Sequence, residues 1–123
     1  MPIRYFRTNP TTESRACQIW QILVGCATRR ETITYQRLVE HLGHSQPKVL
    51  AKQLGRIMHF CSQHRLPPLT VLVVNKTSGK PGDGLELTAD RAKLRERVFN
   101  HDWYGLMPPT EDDYRAAWAK ASQ

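Results

Sequence analysis

Between residues 32 and 61 the chain twice places apolar residues at helical spacing and breaks the pattern once. The first run, 35–42, is too short to hold as an isolated helix. It stops at Gly43, the residue type that most readily takes the left-handed turn ending a helix. The second run resumes after Pro47, which suits a first helical turn. It carries Leu50, Leu54, Ile57, Met58 and Cys61 at intervals that make one stripe. Only Gly43-His44-Ser45-Gln46-Pro47 separates the two runs. Helices joined so tightly must cross and share an apolar side, which is a helix-turn-helix, and every other segment has to be arranged around that pair.

The flanks supply the rest of a fold. Thr11 or Thr12 can cap a helix over about 12–28, with Glu13 in its first turn. Ala16, Ile19, Trp20, Leu23, Val24 and Ala27 share one face of that helix. Ile33 is placed for a brief strand. Pro67 and Pro68 stop the second helix of the pair, and 69–74 reads as a strand. A glycine-rich turn (NKTSGKPGDG) follows, and 85–87 reads as a returning strand. A helix starts near 88–90, and Thr110 caps a last one opened by Glu111, Asp112 and Asp113. Helix, turn, helix and hairpin is the winged-helix order. The expected fold is therefore α+β and mainly helical, with extra N- and C-terminal helices. The 123 residues make a single domain, with a winged-helix unit at 32–84 and a C-terminal helical extension at 88–121.

The net charge of +7 has an address. Nine Lys or Arg fall within 29–80 against Glu31 and Glu40 alone, while the remainder of the chain carries nine basic and nine acidic residues. All of the excess therefore lies in the segment that holds the helix pair and the turn. A one-sided basic region suits an anionic polymer, here duplex DNA. No run is long enough to span a bilayer, and no secretory leader pattern opens the chain. Three cysteines without a CxxC spacing read as reduced thiols, so a cytoplasmic location is expected.

The candidate contacts follow from helix geometry. Lys52 lies about 200° around the axis from Leu50, so a stripe of Lys48, Lys52, Arg56 and His59 is expected to point away from the core. In a helix-turn-helix that face enters the major groove, with Gln53 as a base reader. Tyr35, Gln36 and Arg37 open the preceding helix, where free N–H groups meet phosphate. Lys76 and Lys80 sit in the wing turn.

Other chemistries fit less well. His41 and His44, or His59, Cys61 and His64, do not complete a tetrahedral metal set. Asp83, Glu86 and Asp90 lack the converging carboxylates that metal-dependent hydrolysis needs. Trp103, Tyr104 and Trp118 are read as core between the terminal helices rather than as base-stacking platforms. No metal or cofactor is expected.

The stretch ITYQRLVEHLGHSQPKVLAKQLGRIM, followed by LPPLTVLVVNKTSGKPGDG, resembles the DNA-binding half of O6-alkylguanine-DNA alkyltransferases and alkyltransferase-like proteins. The resemblance implies that Tyr35 presses on a target nucleotide's phosphate and that Lys52 stands where the family has a gap-filling arginine. Gln53, Gly55 and Arg56 continue the helix, and the wing spans 75–84. Where the family has its nucleophilic Pro-Cys-His-Arg, this chain reads Pro67-Pro68-Leu69-Thr70-Val71, so no thiolate is there to accept an alkyl group. Lys52 also lacks the planar head of an arginine. The reading is a non-catalytic duplex-DNA-binding protein. Second stands a protein-interaction module, such as a phage or mobile-element inhibitor, docking its basic face on an acidic partner. Third stands a nucleic-acid hydrolase using His59, His64 or Asp83. Oligomeric state is not legible.

Overall fold

Helix α1 (Thr12–Thr28) begins with a reciprocal cap: Thr11 Oγ1 accepts from the Ser14 amide at 2.9 Å, and Ser14 Oγ accepts from the Thr11 amide at 2.8 Å. Ala16, Ile19, Trp20, Leu23, Val24 and Ala27 are all buried, so the expected face is the core face. The structure, a computed structural model, describes residues 3–8, 10–43, 50–75 and 89–121. The turn at 44–49, the glycine-rich turn from 76 and the expected return strand at 85–87 lie outside the described residues, and with them Lys48, Lys76 and Lys80.

Strand β1 (Ile33–Thr34) leads directly into helix α2 (Tyr35–Leu42). Thr34 caps α2 by accepting from the Arg37 amide at 3.1 Å, and Gly43 ends it at φ 76°, where a side chain would be strained. Leu38, Val39 and Leu42 turn inward. Helix α3 (Leu50–Gln63) follows.

The segment 69–74 departs from the expected strand. Leu69–Leu72 forms a 3₁₀ turn, and only Val73–Val74 is strand, β2. The reason lies in side-chain spacing. A 3₁₀ turn eclipses residues i and i+3, so Leu69 and Leu72 both drop fully into the core against α1 and α3. A continuous strand would have sent them to opposite faces. β2 pairs with β1 in parallel, Ile33 opposite Val73 and Thr34 opposite Val74. This parallel pair is the only sheet among the described residues.

Two further helices complete the chain, α4 (Ala89–Asn100) and α5 (Glu111–Ala121). Thr110 and Asp113 cap α5 reciprocally, at 2.8 and 3.2 Å. α5 is not an appendage. Tyr114 and Ala117 are buried, and the helix lies against both α3 and α1. One hydrophobic cluster takes residues from every element, with Trp20 packed edge-on against both Phe60 and Trp103. The class is α+β, dominated by five helices among the described residues. None of those helices is long and apolar enough to cross a membrane.

Candidate nucleic-acid interface

The inner face of α3 is turned from the one that apolar spacing suggests. Leu50, Gln53, Ile57, Phe60 and Cys61 are buried, whereas Leu54 is half-buried and Met58 is 48% exposed. Measured around the helix, the shift is about 50°. Its cause is α5. A helix packed between α1 and α5 buries two adjacent flanks instead of one stripe, and the second flank takes in Arg56 and His59 of the row read as outer and basic.

Arg56 shows this most plainly. Its side chain is only 13% exposed. Its Nε donates to Glu13 Oε2 at 3.0 Å, and its guanidinium carbon lies 3.7 Å from the centre of the Trp118 ring. His59 meets the same ring edge-on at 5.4 Å. Gln63 Nε2 donates to the Ala117 carbonyl at 2.8 Å. Glu13 also faces Arg115, at 3.8 Å, so one carboxylate of α1 draws together α3 and α5. Arg56 is therefore a structural residue rather than a contact for a ligand. Gln53, expected as a base reader, is 3% exposed and cannot reach a base. The two corrections differ in cause: Arg56 is covered by Trp118 of α5, whereas Gln53 is turned into the core side of α3.

Two signals in the sequence pointed to that cover. Tyr114, Ala117 and Trp118 are spaced i, i+3 and i+4, which is an apolar helix face in need of a partner. Glu13, the one acidic residue of α1, offered a charge partner. Of the three late aromatics, Trp103 is core as expected, with Nε1 donating to the Val98 carbonyl at 2.7 Å. Trp118 covers Arg56, and Tyr104 is 70% exposed.

The other central cations divide in the same way. Arg29 pairs with Glu31 at 3.2 Å, and Arg30 pairs with Glu96 and Asn100. Among the described residues Arg37, Lys52 and Arg65 are exposed and make no ion pair. Gln36 is exposed as well.

Gln36 and Arg37 lie at the start of α2, which stands between two clefts. On one side Tyr35, Pro68, Thr70, Val71, Leu94 and Arg91 line an opening of about 350 Å³. On the other Arg29, Thr32, Thr34, Arg37 and His41 line one of about 370 Å³. Both are within the size range of small-ligand pockets. The first joins the Tyr35 ring and aliphatic side chains to the Arg91 guanidinium; the second sets two guanidinium groups, an imidazole and two hydroxyls beside the Glu31 carboxylate, which pairs with Arg29.

The cysteines offer no nucleophile. Burial pushes Cys61 up to about 11, and burial with nearby Glu111 does the same to Cys17. Burial also raises Cys26. All three are thiols at neutral pH, and a thiol is not the reactive form. His64 is exposed and lies against Phe60 at 4.3 Å, and Asp83 is outside the described residues, so the groups named for hydrolysis are not brought together among those described. Among the described residues no three His, Cys, Asp or Glu side chains gather as a metal set. The chain matches no family model, no curated protein and no solved structure with which it was compared.

Proposed function

We propose that this protein binds duplex DNA without performing chemistry on it, as a winged-helix module of the alkyltransferase-like type. The observation that carries the reading is the setting of the first turn of α2, with Arg37 and His41 beside the Arg29–Glu31 pair on one side and a cleft of Tyr35, aliphatic side chains and Arg91 on the other. A nucleotide has two parts to set against them. Its phosphate suits the N–H groups at the start of α2 together with Arg37. Its base suits the ring of Tyr35 and the apolar wall beside it. Lys52, exposed on α3, offers a further cation to the backbone. The concentration of all the excess charge in 29–80 supports the same reading.

The test is fluorescence anisotropy with a duplex of two helical turns, about 20 base pairs, at several salt concentrations. Binding should weaken steeply with salt, and Arg37→Glu with Lys52→Glu should flatten that dependence by about one unit of slope per residue. No binding at low salt would sink the proposal.

A second reading, a protein-interaction module, is favoured by one observation. The exposed side of α3 carries Met58 and Ala51 beside Lys52, and an exposed methionine is a common feature of adaptable protein contacts. In that case Met58→Asp would abolish partner capture and leave the DNA salt slope unchanged.

A further inference from the structure

Arg15 is a buried cation with no counter-ion among the described residues. It projects from α1, is 7% exposed, and among the described residues has no carboxylate within ion-pairing distance. Its Nη1 donates to Gln18 Oε1 at 2.7 Å and to the Leu42 carbonyl at 2.9 Å, and its Nε is buried with no acceptor. The Leu42 carbonyl belongs to the C-terminal end of α2, whose partial charge amounts to about half an elementary charge. That offsets the guanidinium only in part, and a desolvated charge left partly unmatched is costly.

The surroundings increase the imbalance. Arg15 lines a cleft of about 380 Å³ together with Arg4, Arg7, Gln18, His41 and Glu40. Three guanidinium groups and an imidazole thus share the space with one carboxylate. Glu40 is exposed and does not pair with Arg15. Tyr5 and Phe6 supply an aromatic side to the same cleft, and Arg7 lies over the Tyr5 ring at 4.4 Å.

We infer that this cleft is an oxyanion site, in which a phosphate group is held between Arg15 and the two arginines of the N-terminal segment. The chemistry is that of forked guanidinium donors around oxygens carrying negative charge. The site is at the opposite end of α2 from Tyr35, so it does not depend on the DNA reading. The phosphate can come from a free phosphate-bearing molecule or from a nucleic-acid backbone.

The Nε–H resonance of Arg15 in a ¹⁵N-correlated NMR spectrum reports on the site directly. Titration with inorganic phosphate, at ionic strength held constant with chloride, should move it saturably with roughly millimolar affinity. Arg4→Gln with Arg7→Gln, both at exposed positions, should abolish the shift while leaving the remaining spectrum in place. A duplex that moves the same resonance where inorganic phosphate does not would identify the backbone as the source and uphold the site. No shift with either probe, or a shift that persists in the double variant, overturns the inference. Repeating the phosphate titration on Arg37→Glu/Lys52→Glu separates this result from the DNA proposal, since neither residue lines the cleft.

Discussion

Lys52 and Arg56 lie one turn apart on α3 and carry the same charge, yet they belong to different parts of the molecule. Lys52 is exposed and makes no ion pair among the described residues. Arg56 is held by Glu13 of α1 and lies flat against Trp118 of α5. A stripe of cations every fourth residue identifies a helix face but not what lies over that face. On this helix the boundary between covered and open surface runs between two members of one basic stripe. Charge patterning is thus a statement about the isolated helix, and the packing of a terminal helix decides how much of it remains available.

The comparison is broken most directly by reversing each charge in turn. Arg56→Glu sets a second carboxylate against Glu13 under an aromatic ring and leaves the two to share Arg115, which stands 3.8 Å from Glu13. Removing one member of a buried pair destabilises by 3–5 kcal/mol, so a loss of about 3 kcal/mol is expected for this slightly exposed one. Lys52→Glu should change stability by less than about 0.5 kcal/mol, as surface substitutions do. Urea unfolding of the two variants measures both values. Equal losses would mean that the two residues share an environment. The contrast also governs how binding is tested: a variant that includes Arg56→Glu would lose DNA by unfolding, which is why Arg37 is the better partner for Lys52.

The sequence carried the helices better than it carried their surfaces. Both ends of α1 were legible from the Thr11 cap and the apolar spacing, and α2 from Thr34 and Gly43. These are local signals, set by side chains within one turn of the chain. The 3₁₀ turn at Leu69–Leu72 was not legible, because its short apolar run suits a strand equally well until α1 and α3 are present to receive Leu69 and Leu72 together. The site was half legible for the same reason. Tyr35 and Arg37 hold their places through the local geometry of α2. Gln53 lost its place to the turn of α3's buried face, and Arg56 lost its place to α5, which lies about sixty residues further along the chain.

A smaller effect sharpens the contrast between covered and open regions through pH. Cys61 and Cys17 are raised from an ordinary value of 9.0 up to about 11, chiefly by burial, and burial also raises Tyr114. A folded-state value above the unfolded one means stabilisation that is present in full below the unfolded value and lost as pH rises through the folded one. Stability should therefore hold to about pH 9 and fall by on the order of 2 kcal/mol for each of the two thiols toward pH 11. Cys61→Val should blunt the fall, measured as thermal midpoint against pH. A flat profile would place these thiols in contact with water.

The smallest effect concerns Gln53, which has a polar head on the covered side. Its Oε1 is buried with no hydrogen-bond partner. A buried acceptor left unmatched forfeits its hydration without replacement, so an apolar side chain of the same length is at no disadvantage. Gln53→Met should be neutral or stabilising by up to about 1 kcal/mol. It should also leave DNA affinity and its salt dependence unchanged, because the residue does not reach the surface. Urea unfolding and duplex anisotropy on this one variant address both sides of the comparison. A tenfold loss of affinity at unchanged stability would return Gln53 to the interface, and would mean that the packing around α3 opens when DNA binds. Unchanged binding would confine the open surface of α3 to the side that bears Lys52.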